Sequence, residues 1–422
     1  MICIEKIIKL ATEWATSPVY DCATRAEIQA LIDAKDYTEL TERFYRTLDF
    51  GTGGLRGVMG GGINRINAYT VRMATQGLAN YILSFEDGAE RGVVIGYDSR
   101  NNSKEYARET AVVLASNGIK MYLFDSLRPV PELSFTVRFK QAKAGVCITA
   151  SHNPPEYNGY KVYFEDGGQI TPPHDKNIIA EVGKITGLTD VKSSTDFDSA
   201  VSAGLIELIG SEVDNAYIKE VCKQSVRTAA DNIKIVYTPL HGAGYSVVAK
   251  ALIMQGFSDI HIVKEQSIPD GNFPTVISPN PEEPEGFKMA VALFEKTGAD
   301  IALATDPDCD RIGVAVRDND GKPVLLNGNQ VGVLLTGYIL EALAGTIDTK
   351  KAAVIKTIVT SSLIEKISDS FGVKCISVLT GFKYIGEWIK QNPDFDFIFG
   401  CEESYGYLRG TYARDKDACV YF

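Results

Sequence analysis

The chain is short of positive charge: 43 lysines and arginines stand against 54 aspartates and glutamates, a net charge of -11 over 422 residues. A surface of that sign repels phosphate backbones, which argues against a nucleic-acid partner. An anionic small molecule stays possible where local cations override the global field. None of the eight cysteines, scattered from Cys3 to Cys419, forms a C-x-x-C pair. Neither a zinc site nor a dense disulfide framework is indicated, and reduced thiols in the cytoplasm are expected. No apolar run reaches the roughly 18 residues of a membrane span. The N-terminus, M-I-C-I-E-K-I-I-K-L, breaks its apolar residues with Glu5, Lys6 and Lys9, the pattern of an amphipathic helix rather than a secretory signal.

Several catalytic signatures are missing too. No G-x-x-x-x-G-K-[ST] loop supports nucleotide-driven phosphorylation, and G-T-G-G-L-R-G, from Gly51 to Gly57, carries Arg56 where a dinucleotide fingerprint needs its last glycine. The G-x-S-x-G elbow of serine hydrolases fails around Ser151, because Thr149 and Asn153 stand where glycines are required.

What is present fits a folded α/β protein of two to four domains, with 45% hydrophobic and 23% charged residues and no tract polar enough for disorder. The first fifty residues read as helices. From Gly92, apolar strands alternate with helical patterns: strands at Gly92–Gly96, Lys120–Phe124, Gly145–Thr149 and Tyr160–Phe164, helices at Lys104–Asn117 and Pro131–Gln141. A polar interval from Thr186 to Ala203 suggests the first boundary. A second series starts at Ile233 and closes at the turn Asp318–Gly321. A third has strands near Val354–Thr357, Lys374–Val378 and Phe395–Phe399, and the apolar stretch Val331–Leu340 reads as a buried helix. Domains at 1–205, 206–322 and 323–422 are expected, each polar cluster lying just after a strand, where open α/β sheets place their ligands.

Two clusters carry chemistry. T-A-S-H-N-P-P-E-Y-N-G-Y-K, from Thr149 to Lys161, presents Ser151 directly after a strand. If the segment is extended, alternation turns His152 away from the Ser151 hydroxyl. Asn158-Gly159 marks a tight turn, after which the chain returns Lys161 toward the serine. There Lys161 can neutralise phosphate charge or, with its pKa lowered by neighbouring cations, act as a general base. An ordinary strand-turn-strand with a surface serine is the bland alternative. D-P-D-C-D-R, from Asp306 to Arg311, puts Asp306, Asp308 and Asp310 on one face of an extended loop, an oxygen-only cradle suited to Mg²⁺. Arg311 offers a fork for a phosphoryl group. An EF-hand would need Gly and Glu where Arg311 and Arg317 stand, and a haloacid-dehalogenase phosphatase would follow its paired aspartates with Thr or Val, not Cys309 and Asp310.

Other segments are weaker. G-C-E-E-S-Y-G, from Gly400 to Gly406, combines acceptors with a hydroxyl in a way that suits sugar recognition. Y-T-P-L-H-G-A-G around His241 reads as a strand-to-helix turn. R-D-K-D, from Arg414 to Asp417, reads as a solvated charge run, and T-G-F-K, from Thr380 to Lys383, as a helix cap.

Taken in order, these segments resemble the α-D-phosphohexomutase superfamily, the phosphoglucomutase and phosphomannomutase enzymes, and most closely its phosphoglucomutase-2-like branch. The resemblance spans Gly51 to Asp417. It implies three consecutive α/β domains with mixed sheets around a central cleft, and a family fourth domain that this sequence, ending at Phe422, does not supply. It implies that Ser151 carries a phosphoryl group and joins Asp306, Asp308 and Asp310 around Mg²⁺. Arg56, His152, Lys161 and Arg311 match positions about the transferring phosphate, with Lys161 as general base, while Thr380, Glu402, Ser404 and Lys416 match sugar or phosphate contacts. The implied reaction interconverts glucose 1-phosphate and glucose 6-phosphate, with glucose 1,6-bisphosphate as activator and intermediate. Pentose-phosphate mutase and bisphosphate-synthase activities occur in the same branch. A chain lacking the fourth domain is expected to have little turnover, leaving a binding module or a leaky phosphatase as the other class.

Overall fold

The computed structural model describes residues 4–51, 53–227 and 233–420. Cys3, Thr52, Tyr421 and Phe422 lie outside the described residues. Helices Ile4–Thr16, Cys22–Asp33 and Tyr37–Phe44 open the chain as expected. Asp21 and Asp36 cap the second and third by accepting the Thr24 and Glu39 amides. Their apolar faces enclose a small core of Ile7, Ala11, Trp14, Ile28, Leu40 and Phe44.

The first sheet contains β1 (Gly54–Val58), β2 (Val93–Tyr97), β3 (Met121–Phe124), β4 (Ala144–Ile148), β5 (Tyr157–Phe164) and β6 (Ile206–Ile209), in the order β1-β5-β4-β2-β3-β6. β2, β3, β4 and β6 are parallel, while β5 runs antiparallel to both β4 and β1. The second sheet, of β7 (Lys234–Thr238), β8 (Asp259–Ile262), β9 (Ile301–Thr305), β10 (Ile312–Arg317) and β11 (Pro323–Leu326), is ordered β11-β10-β9-β7-β8. The third, of β12 (Ala352–Thr357), β13 (Lys374–Val378), β14 (Asp396–Glu402) and β15 (Gly406–Arg409), is ordered β13-β12-β14-β15. All three sheets are mixed, parallel at the centre with an antiparallel edge. One apolar cluster joins them, from Phe124 and Leu133 through Tyr217, Tyr237 and Leu252 to Val331, Val354 and Phe399. That shared core fixes the domains against one another.

Four expectations need correction. The boundaries at 205 and 322 each fall one strand early, since β6 pairs with β3 and β11 pairs with β10. The polar interval also stays with the first domain: it folds as a short turn at Leu188–Asp190 and a helix at Phe197–Ser202, and its Lys192 and Thr195 amides donate to Gln76 and Ser116. Asn158-Gly159 lies inside β5 rather than in a turn, because Gly159 passes between backbones with no room for a side chain: a Cβ there would meet the Thr149 oxygen at 2.3 Å and the Leu55 oxygen at 2.9 Å. Finally, the helix over Val331–Leu340, observed as Gly328–Leu343, buries one face only, with Leu334 and Tyr338 exposed.

Candidate active site

β4 ends at Ile148, β9 at Thr305 and β14 at Glu402, and the polar segments that follow or close them converge between the three domains. Ser151 adopts φ +52° and Cys309 φ +55°, left-handed conformations that cost energy in non-glycine residues and collect at functional sites. Because Ser151 is not extended, alternation does not separate it from its neighbour. Its Oγ lies 3.2 Å from His152 Nδ1, contrary to expectation, and donates to Asp306 Oδ2 at 2.6 Å.

Thr149 ties the two loops together. Its hydroxyl donates to Asp308 Oδ2 at 3.1 Å and accepts the Ser151 amide at 2.8 Å. The Val130 amide, at the start of helix Val130–Phe139, donates to the Asp308 carbonyl at 2.9 Å and anchors the acidic loop from the first domain. Asp306 Oδ1 accepts the Asp310 and Arg311 amides.

Asp306, Asp308 and Asp310 are buried, with one oxygen from each within 4.8 Å of the others. Asp308 Oδ1 and Asp310 Oδ1 are buried without a hydrogen-bond partner. Orphaned carboxylate oxygens so placed are costly unless a cation meets them, and a hard divalent cation such as Mg²⁺ takes this donor set. The residues therefore fit the ion. Burial and the other two carboxylates push the Asp306 acid well above the usual range. Burial would raise Asp308 as well, but Lys161 beside it prevails and holds it low.

Lys161, in β5 opposite Cys147, reaches Asp308 Oδ2 at 2.8 Å and Asp310 Oδ2 at 3.4 Å. Burial opposes its charge, yet the two carboxylates hold its ammonium above the ordinary lysine range. The expected lowering by nearby cations is thus reversed, since the carboxylates are closer. Lys416 joins the same cluster, 3.0 Å from Asp310 and 3.7 Å from Glu402. Arg311 pairs with Glu282 and stands 3.9 Å from Asp310. Arg56 is exposed at the rim and donates to Asn153 Oδ1 at 3.2 Å. Burial, then Arg311, bring His152 down to about 3, leaving its imidazole neutral near pH 7.

In the third domain Glu402 closes β14 and is buried, with Ser404 hydrogen-bonding its carboxylate. R-D-K-D is no solvated run: the buried Asp415 and Asp417 accept the hydroxyls of Tyr163 and Tyr217, and Lys416 points to Asp310. Thr380 is exposed before helix Phe382–Gln391, whose N-cap Gly381 makes no side-chain cap bond, so T-G-F-K does not act as expected. No described hydrogen bond joins Thr380 to the cluster. Sequence reasoning missed Thr149, Asp98, Arg100, Ser278 and Glu282. D-S-R, from Asp98 to Arg100, follows β2 directly, and the rule that polar clusters follow strands would have found Asp98 and Arg100.

The three-domain architecture, with a buried serine beside three carboxylates, suits an isomerase working by phosphotransfer. Comparison with known proteins gives the same class. Models of phosphoglucomutase/phosphomannomutase α/β/α domains I, II and III match residues 47–188, 215–321 and 327–422. A phosphoglucomutase of Staphylococcus saprophyticus is 40% identical over 378 residues, covering 89% of this chain and 68% of the relative. A phosphoglucomutase of Staphylococcus epidermidis is 39% identical over 381 residues, 90% of this chain and 68% of that one. A putative phosphomannomutase from Thermus thermophilus superposes with TM-score 0.72 at 25% identity, over 89% of this chain and 78% of that one. The chain belongs to the phosphoglucomutase/phosphomannomutase family of the α-D-phosphohexomutase superfamily.

Proposed function

We propose that the chain interconverts glucose 1-phosphate and glucose 6-phosphate through a phosphate ester on Ser151 and a bisphosphorylated glucose. The observation that carries this reading is the 2.6 Å bond from the Ser151 hydroxyl to Asp306, inside a buried acidic trio with two orphaned oxygens. The relatives' name, phosphoglucomutase, supports glucose as the sugar. Asp306, Asp308 and Asp310, with an oxygen of Ser151, would hold Mg²⁺, which supplies positive charge against the moving phosphoryl group.

In the forward half-reaction the phosphoryl group leaves Ser151 Oγ for the free sugar hydroxyl, whose proton ends, by way of Lys161, on the Ser151 oxygen left behind, and the resulting bisphosphate reorients. In the second half its other phosphoryl group returns to Ser151, whose hydroxyl proton passes to the departing sugar oxygen. Lys161 and Arg311 stabilise charge on the moving group and Arg56 guards the rim. Lys161 is the assigned acceptor of the sugar hydroxyl's proton, a role that requires it to leave the two carboxylates that now hold it charged. His152 orients the Ser151 hydroxyl as a neutral imidazole. Glu402, Ser404, Lys416 and Thr380 are assigned to the sugar and its second phosphate. The cytoplasm suits a protein whose described cysteines are all free thiols; among the described residues no helix is long and apolar enough to cross a membrane.

With Mg²⁺, a trace of glucose 1,6-bisphosphate and glucose 1-phosphate, the protein carrying the family's fourth domain is expected to yield glucose 6-phosphate, and its Ser151→Ala variant to yield none. Ribose 1-phosphate is the comparison substrate, and equal or faster turnover on it would overturn the assignment to glucose.

A further inference from the structure

Arg100 follows β2, outside the residues assigned above, and both it and Asp98 have wholly buried side chains. Its guanidinium donates to four backbone oxygens of one loop: Nη1 to the carbonyls of Pro154 at 2.8 Å and Tyr157 at 3.0 Å, Nη2 to those of Ser151 at 2.5 Å and Asn153. Asp98 lies 3.5 Å from Nε and accepts the Arg100 amide at 3.0 Å, so the head group is aimed from behind. The Phe273 ring packs 5.1 Å beneath it. The second domain closes over this corner, with Asn101 donating to Asn272 at 2.9 Å and Ser278 donating to the His152 carbonyl at 2.8 Å.

Such a use of arginine is specific. A buried guanidinium whose two terminal nitrogens donate to four neutral carbonyls, while Nε faces Asp98 without a hydrogen bond, cannot be replaced by a compact ammonium, because one planar fork spans four acceptors at fixed angles. The loop it gathers includes the residue held at φ +52°, a conformation serine does not choose unaided.

We propose that Arg100 is a positioning residue for phosphoryl transfer: by gathering the carbonyls of Ser151, Asn153, Pro154 and Tyr157 it keeps the strained serine turn, and so the Ser151 hydroxyl, on Asp306. The inference rests on the phosphoserine reading. Arg100 acts only through the backbone, so its loss lowers the rate at which Ser151 accepts a phosphoryl group and leaves affinity for the sugar bisphosphate nearly unchanged. A displacement of about 1 Å in such an arrangement costs on the order of a hundredfold in rate.

The test is single-turnover phosphorylation of the dephosphorylated protein by glucose 1,6-bisphosphate with Mg²⁺, followed by intact mass, for the parent, Arg100→Lys and Asp98→Asn. In each turnover the sugar O–P bond breaks, the Ser151 O–P bond forms, and the serine proton goes to the sugar oxygen. Arg100→Lys is expected to lower the limiting rate at least tenfold, with the half-saturating bisphosphate concentration within threefold of the parent. Asp98→Asn, nearly isosteric and the safeguard should the lysine variant not fold, is expected to lower the rate three- to tenfold with the same unchanged half-saturation. Limiting rates equal to the parent's in the folded variants, or a loss confined to half-saturation, would overturn the inference. A parent that takes no phosphoryl group at Ser151 instead refutes the phosphoserine reading itself, which keeps the two failures apart.

Discussion

Ser151 illustrates how one backbone angle sets chemistry: at φ +52° its hydroxyl meets Asp306 on one side and the His152 ring on the other. Thr149, which bonds both Asp308 and the Ser151 amide, stands one step behind the acidic trio. Partners in that position usually contribute ten- to a hundredfold to metal affinity. Thr149→Val is therefore expected to raise the Mg²⁺ concentration needed for half-maximal transfer by about tenfold, read from a Mg²⁺ titration of the rate; an unchanged requirement would remove Thr149 from the account. Lys161→Arg keeps the charge beside Asp308 but cannot give up its proton. Turnover is expected to fall by about a hundredfold or more, whereas near-parental turnover would show that only the charge matters. At this scale the sequence spoke clearly through residue type: a serine after a strand, three aspartates at alternate places, a lysine on the returning strand. The approach of His152 and the charged state of Lys161 stayed hidden, because both depend on a left-handed turn and on distances between loops some 150 residues apart.

Among the elements, β5 carries the closest tolerance. Gly159 runs between β1 and the end of β4, and a methyl group there would lie 2.3 Å from the Thr149 oxygen. Gly159→Ala is expected to cost about 1–3 kcal/mol and to reduce activity by moving the strand that bears Lys161, measured by denaturant unfolding and by rate. An alanine variant of parental stability would contradict this packing. Helix Cys22–Asp33 makes a contrasting case. The Thr24 amide, against the opposing effect of burial, holds the Asp21 carboxyl down at about 2. The folded value is below the ordinary aspartate value of about 3.9, so the cap's full stabilisation is present above that pH and is lost as the pH falls toward 2. Asp21→Ala is expected to cost about 1 kcal/mol at neutral pH, to flatten that acid loss in thermal unfolding, and to leave catalysis alone. The alternation of apolar strands and helical patterns made most elements legible. Asn158-Gly159 misled, because the same pair that favours a hairpin turn also suits a crowded strand whose asparagine side chain donates to the Asn101 carbonyl and Ser103 hydroxyl.

For the whole molecule, what matters is that three sheets point their ends at one place and are held there by buried polar bonds between domains. Tyr163 of β5 donates to Asp415 at 2.8 Å, next to the Lys416 that reaches Asp310. Tyr163→Phe leaves a buried carboxylate short of a partner, at a cost of about 1–3 kcal/mol. A lower melting temperature and slower transfer are expected together; loss of neither would mean the third domain is held otherwise. The domain order and the shared cleft could be read from polar clusters placed after strands. The boundaries could not, since β6 and β11 are short edge strands whose pairing, rather than their composition, assigns them to the preceding sheet. The account turns on one covalent event, and mass spectrometry tests it directly. After incubation with glucose 1,6-bisphosphate and Mg²⁺, the protein is predicted to gain one phosphoryl group on the peptide that contains Ser151, and Ser151→Ala to gain none. A phosphoryl group on another residue, or equal labelling of Ser151→Ala, would contradict it.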